Sequence, residues 1–319
     1  MLRAFLIRVL NEHKDGFHES ERLTEVLRIA CSEFQIELRH AGDYHGIGRI
    51  SEQVLSAIID ADLVFADANS NNENVWYEIG FADRVQREKV ICLSLTDRVL
   101  PFDRHDIRSI PYRASAEGYD LLTRSLRQTL RELICNLILR QLVEAENVRF
   151  HEEENAISVA RRLESPRLKE IGRDWLRTVA LDSRKNPFPR RTAIRALAII
   201  GELSDELAIE LTRPVVDENV RASIYEQLFQ LRKPVAPAVW EYRADDLRDV
   251  MVLDAFAKAS ARYWLDGQLP DEWLRGRVAA DTTVRKALIE SLQELIGKET
   301  RIKQASIVSH ESQVTGTEA

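Results

Sequence analysis

The sequence predicts an open, mostly parallel α/β sheet domain in its first half and an all-helical region in its second. Three observations lead there. Short apolar runs alternate with amphipathic helical spacing from residue 3 to residue 95, the pattern of a parallel sheet wound with helices. One apolar run, residues 62–66, ends at Asp67, as a strand buried on both faces does. From about residue 150 no strand pattern remains, and prolines at 166, 187, 189, 214, 234, 237 and 270 separate helical segments.

The elements follow in order. Residues 3–10 (RAFLIRVL) are β-compatible, and the apolar run is broken by Arg8, which suits a first strand and not a signal peptide. Leu23, Val26, Leu27 and Ala30 give residues 19–33 a helical apolar face. Residues 34–39 alternate as a second strand, and a loop with Gly42, Gly46 and Gly48 follows. Ile50, Val54, Leu55, Ile58 and Ile59 mark the next helix, with Ser51 near its start. After the strand that ends at Asp67 comes a polar loop, Asn69 to Asn72, then a helix over about residues 73–87. Residues 89–95 (KVICLSL) form the next buried strand. Residues 97–113, with Pro101 and Pro111, are expected to be irregular, and a long helix is expected from about Glu117 to Glu146.

Composition bounds the rest. At roughly 100–200 residues per domain, 319 residues suggest two domains, here residues 1–147 and 148–302. Residues 303–319 are polar and read as a disordered tail. A net charge of −7 argues against a broad nucleic-acid surface, since that needs excess Lys and Arg. No apolar run is long enough to span a bilayer, so no membrane association is expected. Cys31, Cys92 and Cys135 stand apart in apolar settings and read as free buried thiols. Together these features suggest a cytoplasmic protein.

The second half carries a weak repeat. Arg191-Thr192-Ala193-Ile194 is echoed by Arg221-Ala222-Ser223-Ile224 and by Arg285-Lys286-Ala287-Leu288. With a turn at Gly201 and a break at Asp217-Glu218-Asn219, the stretch resembles HEAT-type repeats. Such helix pairs stack into a continuous core with one extended face. A plain helical bundle is the alternative.

The chemistry is expected in residues 61–93. Asn72 is a good helix N-cap. Asn74 and Glu78 lie four apart, so they share one helical face, flanked by Tyr77 and Phe81. Val75, Ile79 and Ala82 point to the core, and Gly80 permits close approach of a ligand or backbone. A lone Glu early in a helix also has a plain reading, as a solvated charge aligned with the helix dipole.

The segment Asn74-Val75-Trp76-Tyr77-Glu78-Ile79-Gly80-Phe81-Ala82, preceded by Ala61-Asp62 and Ala66-Asp67, resembles the nucleoside 2-deoxyribosyltransferase-like and TIR-like nucleotide-binding domains. Pro101-Phe102-Asp103 and Ile110-Pro111-Tyr112 extend the resemblance, which covers about residues 1–115. It implies a flavodoxin-like or TIR-like sheet and cleavage or transfer at an N-glycosidic bond, with Glu78 as the catalytic carboxylate. It implies that Asp67 and Asn69 contact the substrate, that Asn74 hydrogen-bonds the sugar or Glu78, and that Tyr77 and Trp76 stack on a base. Core packing is the alternative for both aromatics. Arg49 is placed to meet a phosphate at a helix start.

One departure bears on the substrate. The position six before Glu78 is Asn72, where classical deoxyribosyltransferases carry an Asp that helps handle the departing base. That favours hydrolysis of NAD or a related nucleotide, taken as substrate with no cofactor, over base exchange. TIR-like effectors joined to a sensor half suggest an anti-phage defence setting, with assembly into a homo-oligomer and a protein partner on the helical half. The competing expectation is a nucleotide-binding module without chemistry. His13, His18, His40 and His45 lack helical ligand spacing, so no metal site is expected. Arg104, Asp106 and Arg108 read as a phosphate contact or a solvated loop.

Overall fold

A computed structural model describes residues 2–10, 17–44, 50–69, 72–97, 109–145, 148–231, 234–241 and 247–314. The chain divides into two compact units, residues 1–146 with 157–175, and residues 147–156 with 176–319.

The first unit is a five-stranded parallel sheet flanked by helices. Its strands are β1 (Leu2–Ile7), β2 (Ile36–His40), β3 (Leu63–Asp67), β4 (Val90–Leu95) and β5 (Ser109–Tyr112), in the spatial order β2-β1-β3-β4-β5. This is the flavodoxin-like order, in which strand succession reverses between β1 and β3. Helices α1 (Phe17–Ser32), α2 (Ile50–Asp60) and α3 (Glu73–Gln86) connect the strands. Helix α4 (Ala116–Leu133) continues through one π-helical stretch (Ile134–Leu139) into α5 (Arg140–Val143).

Strand alternation assigns the faces. Phe5, Ile7, Val64, Ala66, Ala68, Val90 and Cys92 share one core with Val54 and Ile58 of α2 and Val75, Ile79 and Ala82 of α3. Helices α1 and α4 pack against each other and against the edge strands β2 and β5 respectively, and bury Leu23, Leu27, Leu122, Leu126 and Leu130. All four elements expected between residues 50 and 95 are present.

One strand was not expected. Residues 109–112 lie in the stretch read as irregular, yet Ser109–Tyr112 pairs in parallel with β4, with Pro111 opposite Ser94. Proline cannot donate to a ladder, but an edge strand leaves one side of its backbone unpaired. The sequence pattern shows the missing donor and not the edge position that tolerates it.

The second unit is helical. It holds parts of α6 (Val148–Arg162) and α7 (Pro166–Leu181), then α8 (Pro187–Ile199), α9 (Asp205–Leu211), α10 (Glu218–Leu231), α11 (Val250–Leu265), α12 (Asp271–Ala280) and α13 (Thr282–Val314). Helix α8 packs on α10, α10 on α11, and α11 on α13. The first two segments of the repeat fall on α8 and α10, where Thr192-Ala193-Ile194 and Ala222-Ser223-Ile224 are buried alike, and the third falls on α13, where Arg285 and Lys286 are exposed and Leu288 is buried. Gly201 ends α8 at φ +74°, with its N–H on the Ala198 carbonyl and that of Glu202 on Leu197, a left-handed stop that glycine adopts without strain. Asp217 caps α10 by accepting from the N–H groups of Asn219 and Val220. Residues 303–314, expected to be a disordered tail, continue α13 as helix.

Aromatic rings anchor this unit. Trp240 is fully buried, 4.9 Å from the Tyr263 ring, 6.2 Å from those of Tyr225 and Phe256, and 6.5 Å from Trp273. Replacing Trp240 by Ala is expected to cost about 3–5 kcal/mol. Hydrogen exchange should then quicken in α10 and α11. Unchanged protection there would show that the cluster does not hold these helices.

Candidate functional site

The site is built at the carboxyl ends of β1 and β3. Parallel sheets of this order bind ligands there, where the connections diverge to opposite faces. Asn72 opens α3 with its side-chain oxygen on the Asn74 N–H at 2.9 Å and its carbonyl on the Trp76 N–H at 3.2 Å. That cap starts the helix so that Asn74 and Glu78 stand one turn apart on the same side.

Both line a cleft of about 430 Å³ with Asn72, Val75 and Tyr77. The opposite wall is Arg8, Val9 and Leu10 beyond β1, Ala41 beyond β2, and Ser51, Val54 and Leu55 of α2. The volume lies within the range of small-ligand sites. Glu78 is only partly exposed, and burial pushes its carboxyl up to about 7. Near neutral pH it therefore interconverts between acid and carboxylate.

The other expected site residues separate. Tyr77 is 65% exposed and lines the cleft. Trp76 packs against the core beneath α2 and α3. Asp67 and Asn69 are buried at 1% and 5% exposure. Alternation turns Asp67 away from the sheet face that carries Val64, Ala66 and α3. Its carboxylate accepts from the Asn69 backbone N–H at 3.1 Å and from Asn69 Nδ2 at 2.7 Å. Nδ2 also donates to the Tyr112 hydroxyl at 2.8 Å, and Asn69 Oδ1 accepts from the Leu95 N–H at 2.6 Å. Asn69 thus ties the ends of β3, β4 and β5 together. Burial, with Asp67 beside it, raises the Tyr112 hydroxyl well above the usual tyrosine range.

Arg49, Gly46, Gly48, His13, His45, Pro101-Phe102-Asp103, Arg104, Asp106 and Arg108 lie outside the described residues. His40 Nδ1 accepts from the Gly42 N–H, capping a short turn after β2. Cys31 and Cys92 are buried and Cys135 is half-buried. Desolvation pushes the thiols of Cys31 and Cys135 up to about 12 and about 11, far from a reactive thiolate.

Arg8 was missed as a site residue. It is 9% exposed, donates to Thr24 Oγ1 at 2.8 Å and pairs with Glu21 of α1. Its only signal in the sequence is a charge interrupting the apolar run of β1.

Fold and site together define a parallel α/β unit with a half-buried glutamate in a cleft at its topological switch point. No protein-family model, curated protein or solved structure matches the chain. Among the described residues no helix is long and apolar enough to cross a membrane.

Proposed function

We propose that the sheet unit hydrolyses an N-glycosidic bond in NAD or a related nucleotide, with Glu78 as its catalytic carboxylate. The observation that carries this reading is the burial of Glu78 in the switch-point cleft beside Asn74 and Tyr77. As the C–N bond breaks, its electron pair leaves with the base nitrogen and positive charge develops on the sugar. The ionised Glu78 stabilises that charge, and water completes the hydrolysis at the anomeric carbon.

Asn72 sharpens the choice of substrate. It lines the cleft with its amide engaged as a cap, and an amide supplies no proton to a departing base. A pyridinium base needs none, because bond cleavage itself neutralises it. This favours NAD over a deoxynucleoside. Asn74 is suited to the sugar hydroxyls, and Tyr77 to the face of a base.

The HEAT-like reading of the second unit makes it a sensing or assembly element, which fits a regulated, oligomerising cytoplasmic effector of antiviral defence. The second reading, a nucleotide-binding module without chemistry, draws on the engaged state of Asp67 and Asn69, which leaves fewer polar groups for the sugar.

The test is nicotinamide release from NAD by purified protein, scanned over protein concentration with deoxynucleosides offered in parallel. Release that rises more than linearly with concentration is expected of an enzyme switched on by assembly. Ligand binding without turnover at any concentration would leave the binding module as the better reading.

A further inference from the structure

A second cavity in the first unit, about 640 Å³, lies between α4 and α7. Arg124, Arg127 and Arg131 line it from α4, and Arg167 from α7. Positions i, i+3 and i+7 of a helix form one stripe, so the three α4 guanidiniums face the same way. Phe34 and Ile171, both buried, complete the lining.

Two of the arginines have a structural explanation. Arg127 donates to both carboxylate oxygens of Glu33, through Nε at 2.9 Å to each, and Arg167 lies 3.6 Å from the same carboxylate. The Arg167 guanidinium also rests 5.3 Å from the centre of the Phe34 ring. These contacts fix both planar groups in place. Arg124 and Arg131 have no carboxylate partner among the described residues. The lining therefore holds four guanidiniums and one carboxylate, Glu170, with Glu33 as the partner of Arg127 and Arg167. The excess is positive on a chain whose net charge is −7, so it is not a sample of a generally basic surface.

Guanidinium groups suit phosphate oxygens, which accept paired N–H donors, and Arg124 and Arg131, both exposed, are open to them beside the anchored pair. A volume of about 640 Å³ is ample for a short phosphate chain, and the lining offers no open ring face for a base, since the Arg167 guanidinium already lies over the Phe34 ring. We propose that it binds a phosphate chain, either inorganic polyphosphate or the polyphosphate of a nucleotide. The site is distinct from the Glu78 cleft and does not depend on that cleft's chemistry.

Calorimetric titration of the full chain at low ionic strength tests this, with inorganic tripolyphosphate and adenosine triphosphate as probes. One saturable site is expected for tripolyphosphate. The double variant Arg124→Gln/Arg131→Gln should weaken it about tenfold or more without moving the thermal midpoint of the free protein. Glu170→Gln, which removes the opposing carboxylate, should tighten it. Equal affinity for the two probes would identify the phosphate chain as the whole ligand. Tighter binding of the nucleotide, still lost in the double variant, would identify a nucleotide. No saturable binding, binding that survives the double variant, or uptake of single-stranded nucleic acid alone would overturn the proposal.

Discussion

Glu78→Gln is expected to lower nicotinamide release by about a thousandfold while making the protein more stable above pH 7. The first effect follows from charge. Glutamine keeps the shape but cannot balance a developing cation, and preorganised charges of this kind carry large parts of a barrier. In the wild type, kcat/KM should rise with pH and level off above about 7, because the ionised form does the work and its carboxyl titrates there. The second effect follows from linkage. The folded carboxyl is raised from 4.5 to about 7 by burial. Ionisation therefore favours the unfolded chain, and the wild type loses stability as pH rises from about 4.5 to 7, with no further loss above. Gln has no charge to desolvate. The shift sets a ceiling of about 3 kcal/mol, and solvent at the cleft mouth screens this to about 1–2 kcal/mol. Urea unfolding of both proteins at pH 4 and pH 8 measures it. A difference that does not grow with pH would mean that Glu78 is solvated, as a helix-start glutamate ordinarily is. A variant that is both more stable and inactive marks a group kept for function at the expense of stability.

Asn69→Ala is expected to destabilise the sheet unit by about 3–5 kcal/mol. One small amide satisfies the Leu95 N–H and the Tyr112 hydroxyl and adds a second bond to the Asp67 carboxylate, which keeps the backbone N–H of residue 69, and each buried group left without its partner costs about 1–3 kcal/mol. Asn69→Asp should be at least as damaging, since it sets a second carboxylate against Asp67 in a buried site. Thermal unfolding and the exchange rate of the Leu95 amide report the loss. The same variants separate two roles. If turnover falls only in step with unfolding, Asn69 acts as a latch. If the fold survives and turnover is lost, Asn69 contacts substrate, as the family resemblance implies.

The sequence by itself determined the alternation of strands and helices up to residue 95, the helical second half, the Asn72 cap and the shared face of Asn74 and Glu78. Each of these is a local property, set by apolar periodicity or by one side chain meeting a backbone group a turn away. Tertiary structure decided what local pattern leaves open. It made Pro111 part of an edge strand, because only the neighbour on one side of β5 tells which backbone groups need partners. It brought Arg8, from the end of β1, to the same cleft as Glu78, seventy residues later in the chain. It also parted Asp67 from Glu78: only eleven positions separate them in the chain, but a strand places successive side chains on opposite faces. Asp67 therefore joins Asn69 and Tyr112, while α3 carries Glu78 over the other side of the sheet. The raised carboxyl of Glu78 is likewise a product of packing, since desolvation depends on every wall that surrounds the group and only one of them is its own helix.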